Sequence, residues 1–413
     1  MGVGQRVRTA RVRDSGAHRP AAARNPAVEV FLWSRAAIWL LALLALTALD
    51  GSRNPKAWKW DDPALTHDLG RVTDVWARWD SVWFLRIAEH GYGAHANDAA
   101  FFPLYPGSVA LLGRLLGGHY LLAGIAISLA CGLTAFILLY RLAESRLGAD
   151  GARRTVLYVA VFPMSLFLGA VYSESLYLLL AVAAFLLAER GRFLEAGAVT
   201  GLALLTRPSA VALVPALALL AWRSGRLHAV VRLALAPAAF CIYPLLLWAE
   251  EGHPFAFLSA QRHWRHFSLA GPLGGVWDGV RAGAAGVRQL WVGGGGHVYW
   301  PSVHDWTPLQ TAAVNLSNLA FLALFVVLAV IAWRRFGAPY GLFAALSLAL
   351  PLSSPSGGWP LESLPRFGLV VFPLFLALAS LGGRPRLHVA IVSVSSMLLG
   401  LFIVQWALWQ WVA

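Results

Sequence analysis

Apolar runs of about 15–25 residues recur along the chain, the length a helix needs to cross about 30 Å of hydrocarbon. Short connections, most of them carrying arginine, separate them. The pattern predicts spans over 33–49, 119–141, 155–171, 176–188, 194–206, 209–222, 233–249, 308–333, 338–352, 367–382 and 387–411. The fold expected is therefore all-α and polytopic, with about eleven transmembrane helices (about 10–12). Pro103 and Pro106 keep 101–117 from being a full span, and Pro208 divides 194–222 into two short helices.

The charges give this threading a direction. Residues 1–30 form a basic tail with Arg6, Arg8, Arg11, Arg13, Arg19 and Arg24, expected to be disordered and cytoplasmic. The run that follows is long enough to span, so it reads as an uncleaved first helix. With that tail inside, the inner connections hold Arg141, Arg146, Arg153 and Arg154; Arg190 and Arg192; Arg223, Arg226 and Arg232; Arg334 and Arg335; Arg384 and Arg386. The opposite face receives the long, varied segments: 50–118, the Ser173-Glu174-Ser175 and Thr206-Arg207-Pro208 turns, 250–307 and 353–366. Residues 31–413 thus form a single transmembrane domain of the cell membrane, N-terminus cytoplasmic, with its chemistry on the extracytoplasmic face.

Composition narrows the classes. The chain is 58% hydrophobic and 13% charged, and its net charge of +13 lies in the connections, where topology accounts for it, so no nucleic-acid partner is expected. Cys131 and Cys241 both fall inside apolar runs and offer neither a disulfide framework nor metal-ligand spacing. No phosphate-binding GxxxxGK[ST] loop occurs, which argues against ATP-driven chemistry. His90, His95, His253, His263 and His266 show no zinc-type pairing, so no metal site is expected.

In the first external loop, Val72, Val75, Trp76, Trp79, Trp83 and Ile87 share one helical face, predicting one or two amphipathic helices at the membrane interface. Arg71, Asp74, Arg78 and Glu89 take the solvated face. Asp80 lies at the edge of the tryptophan face. A carboxylate there suits a general base acting on a lipid-linked substrate, and it equally suits an N-cap for a helix beginning at Ser81. Beyond Gly91-Tyr92-Gly93, Phe101-Phe102-Pro103-Leu104-Tyr105-Pro106 makes a stiff aromatic corner.

The stretch Arg78-Trp79-Asp80-Ser81-Val82-Trp83 through Glu89-His90-Gly91-Tyr92, followed by Ala100-Phe101-Phe102-Pro103-Leu104-Tyr105-Pro106, resembles the signature of the PIG-V mannosyltransferases. Tyr172-Ser173-Glu174-Ser175-Leu176-Tyr177, Ala203-Leu204-Leu205-Thr206-Arg207-Pro208-Ser209 and Leu364-Pro365-Arg366-Phe367 through Phe375 resemble later blocks of that family, in order. The resemblance implies a GT-C-like glycosyltransferase that uses a polyprenyl-phosphate sugar on the external face, with an acidic residue of the first large loop as base. Asp80 is the residue here that matches. The 250–307 segment, with its Gly293–Gly296 run, departs from the pattern by its length.

Arg207 sits midway through an apolar stretch, where a cation costs about 2.5–3.5 kcal/mol on insertion scales. Two partners suit it: a donor phosphate, or Glu174 on the same side. Arg366 reads as an interfacial arginine and, given the resemblance, as a second donor contact, to phosphate or sugar. Trp79, Tyr105 and Glu174 are expected to bind substrate or support the site, with Glu174 favoured as a helix cap. The reading is a hexosyltransferase acting on a lipid or glycan acceptor, with membrane lipid and a polyprenyl-phosphate sugar co-substrate as partners and no tightly bound cofactor. A transporter or flippase would show duplicated halves with broken helices. A non-catalytic scaffold would have no reason to hold a carboxylate on the tryptophan face.

Overall fold

The computed structural model describes residues 25–49, 68–95, 97–225, 227–264, 271–292, 307–355 and 359–412. All regular structure among them is helical. Most of the expected N-terminal tail, the 50–67 part of the first loop, His266 and the Gly293–Gly296 run lie outside the described residues.

Among the described residues five helices are long and apolar enough to cross a membrane: Pro26–Ala48, Tyr120–Val161, His228–Glu251, Pro308–Phe336 and Pro385–Ala407. Shorter apolar helices, Phe193–Leu204, Pro208–Arg223, Ala338–Leu352 and Phe372–Leu381, pack among them. The protein is a multi-pass membrane protein. Its first helix starts at Pro26, with the Asn25 side chain accepting the Ala27 N–H at 3.1 Å, so the expected tail boundary falls inside a helix.

Several spans are broken, each for a local reason. Tyr120–Val161 is two helices joined at Gly148, whose φ of 71° a glycine adopts without strain. The expected span 155–171 ends early, because Pro163 stops the helix after Val161. Residues 162–173 then run through the protein interior without α-helix, apart from the 3-10 turn Ser165–Leu168. Irregular backbone at such depth needs substitute hydrogen bonds. Arg35 of the first helix supplies two, donating to the Ser165 carbonyl and to its Oγ, both at 2.6 Å. Ser175 Oγ adds another by donating to the Leu168 carbonyl at 2.8 Å. The expected span 233–249 is built of Leu227–Arg232, Leu235–Phe240 and Ile242–Glu251. Pro237 and Pro244 lack the N–H groups that would bond carbonyls 233 and 240, where the breaks fall.

The first loop holds two helices on either side of a non-helical link, Arg71–Asp74 and Ser81–His90, followed by Leu104–Leu115. At twelve residues the last is about 18 Å long and does not cross a bilayer. The loop is more buried than its pattern implies. Arg78, expected on a solvated face, is packed inside with its guanidinium 4.3 Å from the Trp409 ring centroid, and Arg86 pairs with Asp98 at 2.7 Å. The described parts of the 250–307 segment are largely helical. They contain Ala256–Trp264 and Gly271–Val292, the latter lying along Pro308–Phe336. Gly283 and Gly286 permit that approach; a Cβ at Gly283 would stand 2.4 Å from the Leu319 side chain.

Candidate functional site

Tyr172 fixes the start of the site. It lies near the end of the buried irregular segment, and its hydroxyl donates to the Arg78 carbonyl and accepts the Asp80 N–H, both at 3.1 Å. Between those residues Trp79 has a φ of 57°, a left-handed conformation that a bulky residue rarely adopts unless its surroundings impose it. The indole of Trp79 stands edge-on to Trp409 and Trp411 from the C-terminal segment. The neighbouring Trp406 donates from Nε1 to the Val75 carbonyl at 2.6 Å. The turn that carries Asp80 is thus held from three directions.

Asp80 occupies the cap position of Ser81–His90, but its side chain makes no capping hydrogen bond. Its carboxylate accepts from Arg366 Nη1 at 2.8 Å instead. Arg366 Nε lies 3.5 Å from Glu174 Oε1, and Arg207 Nη1 lies 3.1 Å from the same oxygen. Two carboxylates and two guanidiniums drawn from four separate segments therefore meet in one chain of contacts. The Glu174 side chain is 1% exposed and Asp80 is 20% exposed, so the chain runs from the interior outwards. Burial disfavours the Arg366 charge, but Asp80 and Glu174 outweigh that and raise its pKa further.

Local sequence explains these placements. Pro208 forces Arg207 into extended backbone (φ −163°, ψ 152°), which ends one helix and turns the guanidinium back towards Glu174. The expected capping role of Glu174 is corrected: Ser173 holds the cap position of Glu174–Glu189, no side chain caps that helix, and Glu174 serves the arginines. Aromatic faces flank both cations. The Arg366 carbon lies 5.4 Å from the Tyr172 centroid and 5.5 Å from that of Phe167, and Arg207 lies 5.7 Å from Tyr177.

These four charges line a cavity of about 410 Å³. Phe101, Phe102 and Phe367 form part of its apolar wall, and the hydroxyls of Thr206, Ser209, Ser347 and Ser354 belong to its lining residues. Trp79 and Tyr105 are not among the lining residues. Tyr105 is fully buried and bonded to Ser128 at 2.8 Å, and the Leu104 N–H donates to the Leu205 carbonyl at 2.9 Å, tying the aromatic corner to the Arg207 turn. Among the described residues no group of three histidine, cysteine or acidic side chains is placed to hold a metal ion.

Sequence reasoning missed Arg35, the Tyr172 clamp and the C-terminal tryptophans. The spacing of Trp406, Trp409 and Trp411 at the end of the last apolar run was the available signal for the last of these.

Comparison with known proteins follows the same residues. Residues 62–223 match the family model described as mannosyltransferase (PIG-V). This segment is PIG-V-like. GPI mannosyltransferase 2 of Yarrowia lipolytica is 34% identical over 130 residues, covering 31% of this chain and 36% of that protein. GPI alpha-1,6-mannosyltransferase 2 of Homo sapiens is 35% identical over 126 residues, covering 28% of this chain and 25% of the human protein. The alignment thus spans about a third or less of the curated relatives' length. The apo crystal structure of ArnT from Cupriavidus metallidurans superposes with a TM-score of 0.40 and 14% identity, covering 92% of this chain and 77% of that one. The PIG-V-like segment contains Asp80, Glu174 and Arg207; Arg366 lies beyond it and joins them through the fold.

Proposed function

We propose that this protein is a membrane glycosyltransferase that moves mannose, or a similar hexose, from a polyprenyl-phosphate sugar to a hydroxyl of a lipid or glycan acceptor. The observation that carries this reading is the convergence of Asp80, Glu174, Arg207 and Arg366 on one cavity. In the reaction the acceptor oxygen bonds to the sugar C1 as the bond from C1 to the phosphate oxygen breaks. The acceptor proton passes to Asp80 and the polyprenyl phosphate departs as an anion.

Charge moves in a way that suits the arginines. The negative charge that Asp80 loses on protonation is the charge the phosphate gains on departure. Arg366, already shared between two carboxylates, is placed to follow that charge from Asp80 to the phosphate. An arriving donor phosphate competes for Arg366 and Arg207, and so frees Asp80 to act as base. Glu174 holds both guanidiniums in the cavity wall while this happens.

The site belongs on the extracytoplasmic face, with the N-terminus cytoplasmic. Glu174 and Glu189 are the two ends of one sixteen-residue helix, about 23 Å apart. Glu189 pairs with Arg146 and accepts from the Tyr340 hydroxyl, at the end where the arginine-rich connections gather. The opposite end holds the cavity.

The test is incubation of the purified protein in lipid with radiolabelled polyprenyl-phosphate mannose and a total lipid extract. The account expects label in a new glycolipid or glycan. A flippase would move the labelled donor across the bilayer unchanged.

A further inference from the structure

Two cavity residues carry hydroxyls with no hydrogen-bond partner within 3.5 Å, although the Tyr177 hydroxyl lies close to Ser209. Ser209 Oγ and Ser347 Oγ are both buried and make no hydrogen bond. Ser81 Oγ and Thr311 Oγ1 share this state away from the cavity lining. Other helical hydroxyls fold back onto their own backbone, among them Ser108 to Leu104, Thr155 to Gly151, Thr200 to Ala196 and Ser353 to Ala349, all between 2.6 and 2.8 Å. Ser347 has the Phe343 carbonyl one turn back and leaves it unused, although the residue is only 4% exposed. An orphaned hydroxyl in an interior is costly, and its presence calls for a partner absent from the free protein.

Both serines stand beside the charged cluster. Ser209 is two residues past Arg207, in the turn Pro208–Ala212, which packs against the helix Ala338–Leu352 that carries Ser347. Leu350, Pro351, Phe367 and Val370 make the neighbouring wall apolar. Apolar surface with a few hydroxyls beside an anion-binding arginine matches a phosphorylated hexose. Each ring hydroxyl both donates and accepts, and a serine hydroxyl reaches either role by turning its O–H about the Cβ–Oγ bond.

We infer that Ser209 and Ser347 hold ring hydroxyls of the donor's hexose, forming a sugar subsite beside the phosphate contact. The inference rests on the assignment of Arg207 to the donor phosphate. The hexose C1 is bonded to a phosphate oxygen, so a phosphate on Arg207 puts the ring next to Ser209. These are specificity-determining residues for the sugar, separate from the proton transfer at Asp80.

The experiment measures binding of mannose 1-phosphate, glucose 1-phosphate and inorganic phosphate to the full-length protein in lipid nanodiscs by ligand-observed NMR. The same preparations are then assayed for transfer. Wild type is expected to bind mannose 1-phosphate about tenfold or more tighter than inorganic phosphate. Ser347→Ala and Ser209→Ala should each cut that margin about three- to tenfold, the scale of one neutral hydrogen bond, and leave the affinity for inorganic phosphate unchanged. Ser347→Thr, which keeps the hydroxyl, should retain most of it. Because the alanine variants remove unpartnered hydroxyls, their melting temperatures should be equal to wild type or higher. A margin that survives both substitutions overturns the subsite, as does a loss shared equally by inorganic phosphate or a lowered melting temperature. If the sugar margin behaves as expected while no donor is turned over, the transferase reading fails and the subsite stands. If transfer proceeds with unchanged donor KM and unchanged preference between the two sugars in both variants, the subsite fails and the transferase stands.

Discussion

The Arg366 guanidinium donates to the Asp80 carboxylate at 2.8 Å, across 286 residues of sequence. Asp80 comes from the first loop and Arg366 from the segment before a late apolar helix, so only the folded bundle brings them together. The pair gives a carboxylate in an aromatic setting a cationic partner, and it makes Arg366 the hinge between the candidate base and Glu174.

Arg366→Ala should remove the cation that balances Asp80 and Glu174. Breaking a buried pair costs about 3–5 kcal/mol, and the partial exposure of Asp80 puts the expected loss at or below the lower end. Thermal unfolding in detergent should show a clearly reduced melting temperature. Arg366→Lys keeps the charge but loses the fork, so it should fold nearly normally while raising the donor KM about tenfold or more. A lysine variant with wild-type donor kinetics would contradict a role for Arg366 at the phosphate.

Arg207 and Glu174 are 3.1 Å apart, which makes them suited to a double-mutant cycle. Arg207→Ala and Glu174→Gln should each destabilise the protein, and the double variant should recover part of the combined loss. Donor use separates two roles for Arg207. If it serves the phosphate, the double variant stays impaired in donor KM despite the recovered stability; if it serves only the ion pair, donor KM recovers alongside.

Tyr172→Phe removes the hydroxyl that bridges the Arg78 carbonyl and the Asp80 N–H. Two neutral hydrogen bonds of about 0.5–1.5 kcal/mol each are at stake. The expected result is a modest drop in stability and a fall in kcat of about tenfold, with donor KM little changed because the arginines are untouched. Stopped-flow or steady-state transfer assays resolve that split.

Arg35 tests why the backbone leaves helical form where it does. Arg35→Met keeps the bulk and removes both bonds to Ser165. Amide exchange over 162–173 should accelerate, because those buried groups lose their substitute partners. Unchanged exchange across that segment would mean that Arg35 does not hold it.

Much of this architecture is legible in sequence because it is local. Apolar run length gives the helices, and Pro208 marks the turn that lifts Arg207 from its helix. Asp80 stands out as a carboxylate among tryptophans, and Glu174 as a partner for Arg207 on the same side. The rest depends on contacts across hundreds of residues. Nothing near Arg35 signals that it supports Ser165, because the pair is 130 residues apart. Arg78 looks solvated on a helical wheel, yet Trp409 covers it from the far end of the chain. Gly271–Val292 reads as loop because its glycines dilute the apolar pattern, and those glycines are what let it pack closely.

The most direct test is the rate of hexose transfer by Asp80→Asn, measured with purified protein and a polyprenyl-phosphate sugar. Asparagine preserves size and still accepts a hydrogen bond from Arg366, so expression, insertion and donor binding should be near normal. Transfer should fall by about 100-fold or more, the scale of general base catalysis. Near-wild-type transfer by Asp80→Asn would contradict the account.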